Sequence, residues 1–246
     1  MNDLQPASAS ATETQARQIV WEPSFGRSLL ACGLGGAAAF SIVQATYPMF
    51  AMTDLPELGI SPSPELVKRF TEAQYAFWTS NYSLATAILG LCMGAAVGLV
   101  STKARRVVSG IAGGLAGIAG GAVAGFYCGR LVAGTQIVSA DQSLLQSTLV
   151  HFSVWAAVFA LSVAVVAVIQ IRLAAVLEML IVSLLAALAV AVLYNMSASI
   201  FFSNSNLLLL FPETLTERAF WFALASLVLG VGLHLGLKRK MTNPTV

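Results

Sequence analysis

Charge is what this sequence has least of. Only 10% of its 246 residues are charged and 57% are hydrophobic, whereas a soluble domain of ordinary make-up carries about 25% charged residues. A free-standing soluble domain is therefore excluded. Histidine and cysteine are scarce too, at two and three copies. Cys32, Cys92 and Cys128 fall in three separate apolar segments with no CxxC or Cys/His spacing, so they read as buried free thiols, and no metal site or disulfide framework is expected. No HExxH, GxSxG or GxGxxG pattern occurs, and no Lys-Ser/Thr pair closes a glycine run. An intramembrane serine protease is disfavoured as well. The final apolar segment does hold a histidine, but Ser109-Gly110 lacks the glycine-serine turn such a site uses. These absences lead to the expectation of a protein that is not an enzyme, with no catalytic residues, no cofactor and no nucleic-acid partner.

What the chain has in abundance is long apolar runs. About 20 apolar residues span a hydrocarbon core of roughly 30 Å, and six such runs occur near 28–50, 80–100, 107–129, 149–170, 173–194 and 218–237. The expected fold class is all-α, a polytopic bundle of six transmembrane helices forming one domain over 25–240. Residues 1–24, rich in Ala, Ser, Thr and Gln, read as a disordered tail, and 241–246 as a second short tail. Residues 51–79 and 195–217 form the two long connections. In the first, Ser63-Pro64-Glu65 is a helix-start signal, and Leu66, Phe70, Ala73 and Phe77 share a face. A short helix lying along the membrane surface is expected there. In the second, residues 200–211 read either as a surface helix or as a shallow re-entrant turn.

Orientation follows from the cations. Arg17, Arg27, Lys103, Arg105, Arg106, Arg172, Lys238, Arg239 and Lys240 make nine of the thirteen on one side. The positive-inside rule then places both termini in the cytoplasm, in a setting like a bacterial plasma or inner membrane. Tyr75, Trp78, Tyr82, Tyr194 and Trp221 would gather at the outer interface, where amphipathic rings prefer to sit. The loop lengths do not fit a three-plus-three inverted repeat.

Glycine is concentrated: residues 110–129 hold eight of the twenty. Gly113, Gly117, Gly121, Gly125 and Gly129 recur every fourth residue, a step that returns to nearly the same helix face with a drift of about 40°. Gly90, Gly94 and Gly98 repeat the spacing in the preceding span. Only a short connection separates the two, so they should form an antiparallel hairpin packed glycine face to glycine face. Counting outward from the connection places Gly98 near Gly110 or Gly113, Gly94 near Gly117, and Gly90 near Gly121.

Polar candidates inside the spans are few. Glu178 stands out as the one acid read as lying within a span, with Arg172 six positions back, and His234 is expected at similar depth. Ser109 and Gln170 would complete a polar cluster, either a proton or cation site or a polar knot that fixes packing. On the outer side His151 opens the fourth span as an interfacial residue, with Gln146, Thr148, Asp141, Tyr127 and Arg130 in reach, and Asn195 and Asn206 flank an apolar loop. Asn81-Tyr82-Ser83 and Asn195-Met196-Ser197 match the glycosylation triplet. The function expected is that of a non-enzymatic structural or accessory membrane protein, with the lipid bilayer and a larger or homo-oligomeric assembly as partners. The alternative is a small-solute or ion transporter or channel using Glu178, with or without His234.

Overall fold

The computed structural model describes residues 24–51, 62–100, 105–138, 144–170, 173–202 and 206–242. The expected tail over 1–24 lies outside them apart from Ser24, as do Asp141, Arg172 and the last four residues. Among the described residues run six helices long and apolar enough to cross a membrane, and no strand. They are α1 Phe25–Thr46, α2 Pro64–Leu99, α3 Arg106–Val138, α4 Leu144–Gln170, α5 Leu173–Phe201 and α6 Leu215–Thr242. The chain is a polytopic helical membrane protein.

Local signals set the ends of these helices. The Ser24 hydroxyl accepts from Arg27 N at 3.4 Å, and α1 stops at Tyr47, which is extended with ψ 135° and precedes Pro48. A residue before proline is pushed out of the helical region. Ser63 caps α2 by accepting from Leu66 N at 3.3 Å, and Pro64 fills the first helical position, where no amide is needed.

From that cap α2 runs unbroken for 36 residues, about 54 Å at 1.5 Å per residue. This corrects the expected separate surface helix. Neither proline nor glycine interrupts residues 65–89, and the Thr79 hydroxyl donates back to the Tyr75 carbonyl at 2.5 Å. The amphipathic face of Leu66, Phe70, Ala73 and Phe77 belongs to an extension of the second span. The span is longer than a hydrocarbon core is thick, so this end of α2 reaches beyond it.

Each helix packs on the next, α6 returns to α1, and α2 also touches α4 through the ring. The closest partnership is α2 with α3. A Cβ placed on Gly90 would fall on the carbonyl of Gly117, and one on Gly117 would fall on that of Gly90. Gly94 and Gly113 stand in the same relation. Gly98 meets the backbone of Ser109 and Gly110, Gly121 that of Thr86, Gly125 that of Tyr82, and a Cβ on Gly129 would lie 2.6 Å from the Trp78 carbonyl oxygen. Each step of four down one helix is matched by a step of four up the other. The pairing sits one turn away from the expected one for Gly94 and Gly90. The reason is where the helices end: α2 stops at Leu99 and α3 starts at Arg106, so Gly94 and Gly113 lie at similar distances from the connection, whereas Gly117 lies a full turn farther from it.

Hydroxyls reinforce this contact. The buried Thr86 hydroxyl reaches the Gly121 carbonyl at 2.6 Å, and Ser162 of α4 reaches that of Gly113 at 3.1 Å. Gly120 faces the Ala157 carbonyl, inside a π-helical turn of α4 at Ala156–Ala160. Glycine also brings α1 to α6, where Gly36 meets Ser226, and α6 to α5, where a Cβ on Gly232 would lie 2.6 Å from that of Ala186.

Substitution should therefore sort by register. Gly90→Ala and Gly117→Ala each push a methyl into backbone and should destabilise the protein by about 1–3 kcal/mol. Gly33→Ala and Gly110→Ala, where a Cβ meets nothing closer than 3.7 Å, should leave stability unchanged. Thermal unfolding of the four variants in one detergent checks the pattern.

Candidate functional site

The expected cluster at the Ser109 end forms only in part. Ser109 is fully buried and accepts from Gln170 Nε2 at 2.5 Å, and Arg105 donates to the Ile169 carbonyl, so α3 and α4 are tied there. Glu178 does not join them. It is exposed on the outer surface of α5 and makes no hydrogen bond or ion pair to any described residue. His234 is half-buried and packs edge-on against Phe25, ring centroids 5.2 Å apart. No contact links it to Glu178. The periodicity that grouped these residues fixed their depth but not their direction around the helix axis.

The opposite end of the bundle is far richer. After α5 ends at Phe201, residues 206–214 run as irregular chain, and Leu207–Phe211 tucks into the bundle with Leu208 and Leu210 fully buried. This corrects the surface-helix alternative for 200–211 and leaves the re-entrant turn. Irregular backbone at such depth needs side chains to satisfy its polar groups, and here they do. Asn206 Oδ1 accepts from Leu208 N at 3.2 Å, and the Tyr82 hydroxyl accepts from Leu210 N at 3.1 Å. The Ser147 hydroxyl lies between the Leu207 carbonyl and the Asn195 amide oxygen, its single proton serving one at a time. Arg218 donates to the Pro212 carbonyl at 2.8 Å and to Gln44 of α1 at 2.8 Å, closing the segment off.

A second clamp holds the chain after α1. Asn81, fully buried, accepts from Met49 N at 2.7 Å and Phe50 N at 3.0 Å, and donates to the Phe50 carbonyl at 3.1 Å. Asn195 is buried as well and donates to the Ala191 carbonyl at 2.9 Å. Both asparagines of the glycosylation triplets are thus enclosed and hydrogen-bonded, which removes them as acceptors for a glycan. Asn206 thus braces the inserted backbone, and Asn195 ties α5 to the Ser147 hydroxyl of α4.

At the centre of this end lies an aromatic cluster with three titratable members. His151 of α4 is fully buried, 4.8 Å from the Tyr194 ring and 5.9 Å from the Trp221 ring; Trp155, one turn on, lies 4.9 Å from Trp221. Tyr194 donates to Glu217 Oε1 at 3.1 Å, and Glu217 is only 3% exposed. The interfacial role expected of His151 is therefore corrected, because α4 starts at Leu144 and carries it two turns inward. Tyr82, Tyr194 and Trp221 gather as expected but face the protein interior, not lipid. Glu217 is a buried acid that a connection drawn over 195–217 conceals. Its signal was legible: Thr214 stands three residues before it, and Glu217 N donates to the Thr214 hydroxyl at 3.3 Å, half of a capping box. No three His, Cys, Asp or Glu side chains among the described residues gather to hold a metal ion. Cys32, Cys92 and Cys128 are free.

The fold and this enclosed polar end define the class, a multi-pass α-helical integral membrane protein. Comparison with family models, curated proteins and solved structures finds no match.

The inserted segment gives a direct test. Tyr82→Phe removes the acceptor of Leu210 N and should cost about 1–3 kcal/mol, the usual penalty for a buried group left unpaired. In a background lacking the native cysteines, Leu208→Cys should resist a membrane-impermeant maleimide. Adding Ser147→Ala should speed its labelling several-fold.

Proposed function

We propose that the protein is a non-enzymatic structural or accessory component of a larger or homo-oligomeric membrane assembly. The observation that carries this reading is the direction of Glu178, exposed on the outer face of α5 with no hydrogen bond or ion pair to a described residue. A carboxylate within a span costs up to about 2.5–3.5 kcal/mol and normally finds a partner. Among the described residues none supplies its counter-group, and on this face we place that group on a second copy or another membrane protein. The glycine contact between α2 and α3 supports the same reading, since it packs backbone on backbone. Both termini are then cytoplasmic, in the plasma membrane of a bacterium, following the distribution of Lys and Arg.

The competing reading, a transporter or channel, needs Glu178 to face the interior, with or without His234. The test separates the two. Glu178→Arg should leave the melting temperature of the isolated chain unchanged while lowering co-purification of the assembly in mild detergent roughly ten- to hundredfold, the loss of one charged hydrogen bond of about 1.5–3 kcal/mol. The reading fails if the wild type carries a proton or cation flux in vesicles that Glu178→Gln abolishes.

A further inference from the structure

Three buried polar atoms at the aromatic end have no hydrogen-bond partner among the described residues: Trp155 Nε1, Trp221 Nε1 and His151 Nδ1. None of their side chains is more than 1% exposed. Their rings adjoin through Trp221. Trp155 lies one turn beyond His151 on α4, at the residue that leads into the π-helical turn Ala156–Ala160, and the Trp221 ring adjoins both. π-turns of this kind are frequent at functional sites. Buried polar groups are rarely left unpaired, and three in adjoining rings point to one shared cause.

Their chemistry says what that cause is. An indole N–H donates and cannot accept. His151 Nε2 lies 3.3 Å from the Leu207 carbonyl oxygen, which can only accept, so Nε2 carries the ring proton. In the neutral ring Nδ1 is then a bare acceptor. The trio therefore offers two donors and one acceptor. An anion would meet the two donors but confront the Nδ1 lone pair, and an ammonium would meet Nδ1 but confront two N–H groups. A hydroxyl accepts two hydrogen bonds and donates one. The remaining polar groups of the cluster are already engaged, Tyr194 with Glu217 and Ser147 with Asn195 and Leu207.

We infer that Trp155, Trp221 and His151 form a binding site for a single hydroxyl group, that of a water molecule or of an alcohol such as a hydroxylated lipid. The site is independent of how the protein assembles, because Glu178 lies on another face at the other end.

The test is proton-detected solid-state NMR of the full chain, labelled with ¹⁵N on tryptophan and histidine, in vesicles of defined phospholipid. The chain has four tryptophans. Trp155→Phe and Trp221→Phe assign two indole signals directly, and Trp21→Phe and Trp78→Phe assign them by elimination if a core variant does not fold. Trp78, whose Nε1 donates to Gln74 at 3.0 Å, serves as the hydrogen-bonded standard. Both core indole protons should resonate near that standard and show a cross-peak to one hydroxyl proton, with His151 protonated on Nε2 and bare on Nδ1. A cross-peak at the water frequency that disappears in D₂O identifies water, and one connected to carbon-bound protons identifies an alcohol. Indole protons at the unbonded position without a cross-peak would overturn the inference, as would a proton found on Nδ1.

Discussion

Everything in this bundle is arranged around a contact between two bare backbones. Lipid tails are as apolar as leucine, so burying apolar surface does not by itself hold one transmembrane helix to another. What remains is close packing, and α2 and α3 achieve it by meeting at Gly90 with Gly117 and Gly94 with Gly113, where neither helix has room for a methyl. That proximity lets Thr86 reach across to the Gly121 carbonyl, and lets Ser162 of α4 reach that of Gly113. The π-turn of α4 brings the Ala157 carbonyl against Gly120. The hairpin is the slab on which α4 rests, with α1 docked on its other side through Gly35, whose Cβ would lie 2.8 Å from that of Ala96.

The same scarcity of water explains the far end. Leu207–Phe211 is irregular and buried, so its amides and carbonyls depend on Tyr82, Ser147 and His151. Phe211 then packs against Tyr47 at 5.2 Å, Trp221 at 5.6 Å and Tyr82 at 5.8 Å, joining four parts of the chain in one aromatic layer. Polar side chains here are the means by which non-helical chain is admitted into the bundle. The rigid glycine slab and the inserted segment share Tyr82, which lies against Gly125 on one side and Leu210 on the other.

The sequence made the spans legible because a run of apolar residues long enough to cross lipid has few other uses. The glycine stripes were legible too, since a period of four marks one helix face. The exact pairing was not, because it depends on where two helices end, and helix ends shift by a residue or two on local detail. Residues 63–77 show a different limit. Their cap and their amphipathic face were both readable, but nothing in periodicity says whether a helix stops or continues into the next apolar run. Among polar residues direction could not be read, since Glu178 points outward and His151 inward, and the depth of His151 was hidden as well because it depends on α4 starting at Leu144. Glu217 was counted with its loop, though Thr214 three residues earlier signalled a helix start. The trio of Trp155, Trp221 and His151 comes from two helices far apart in sequence, and no local pattern joins them.

The central claim is the register of α2 against α3, and it can be measured directly. In vesicles of the full chain carrying ¹³C-labelled glycine, through-space carbon correlations should connect Gly90 with Gly117 and Gly94 with Gly113, because apart from near neighbours in the same helix only facing glycines come so close. Correlations of Gly94 with Gly117 and Gly90 with Gly121 would place the hairpin one turn out of this register. Their absence for all four glycines would mean that the stripes face lipid, and would contradict the account at its base.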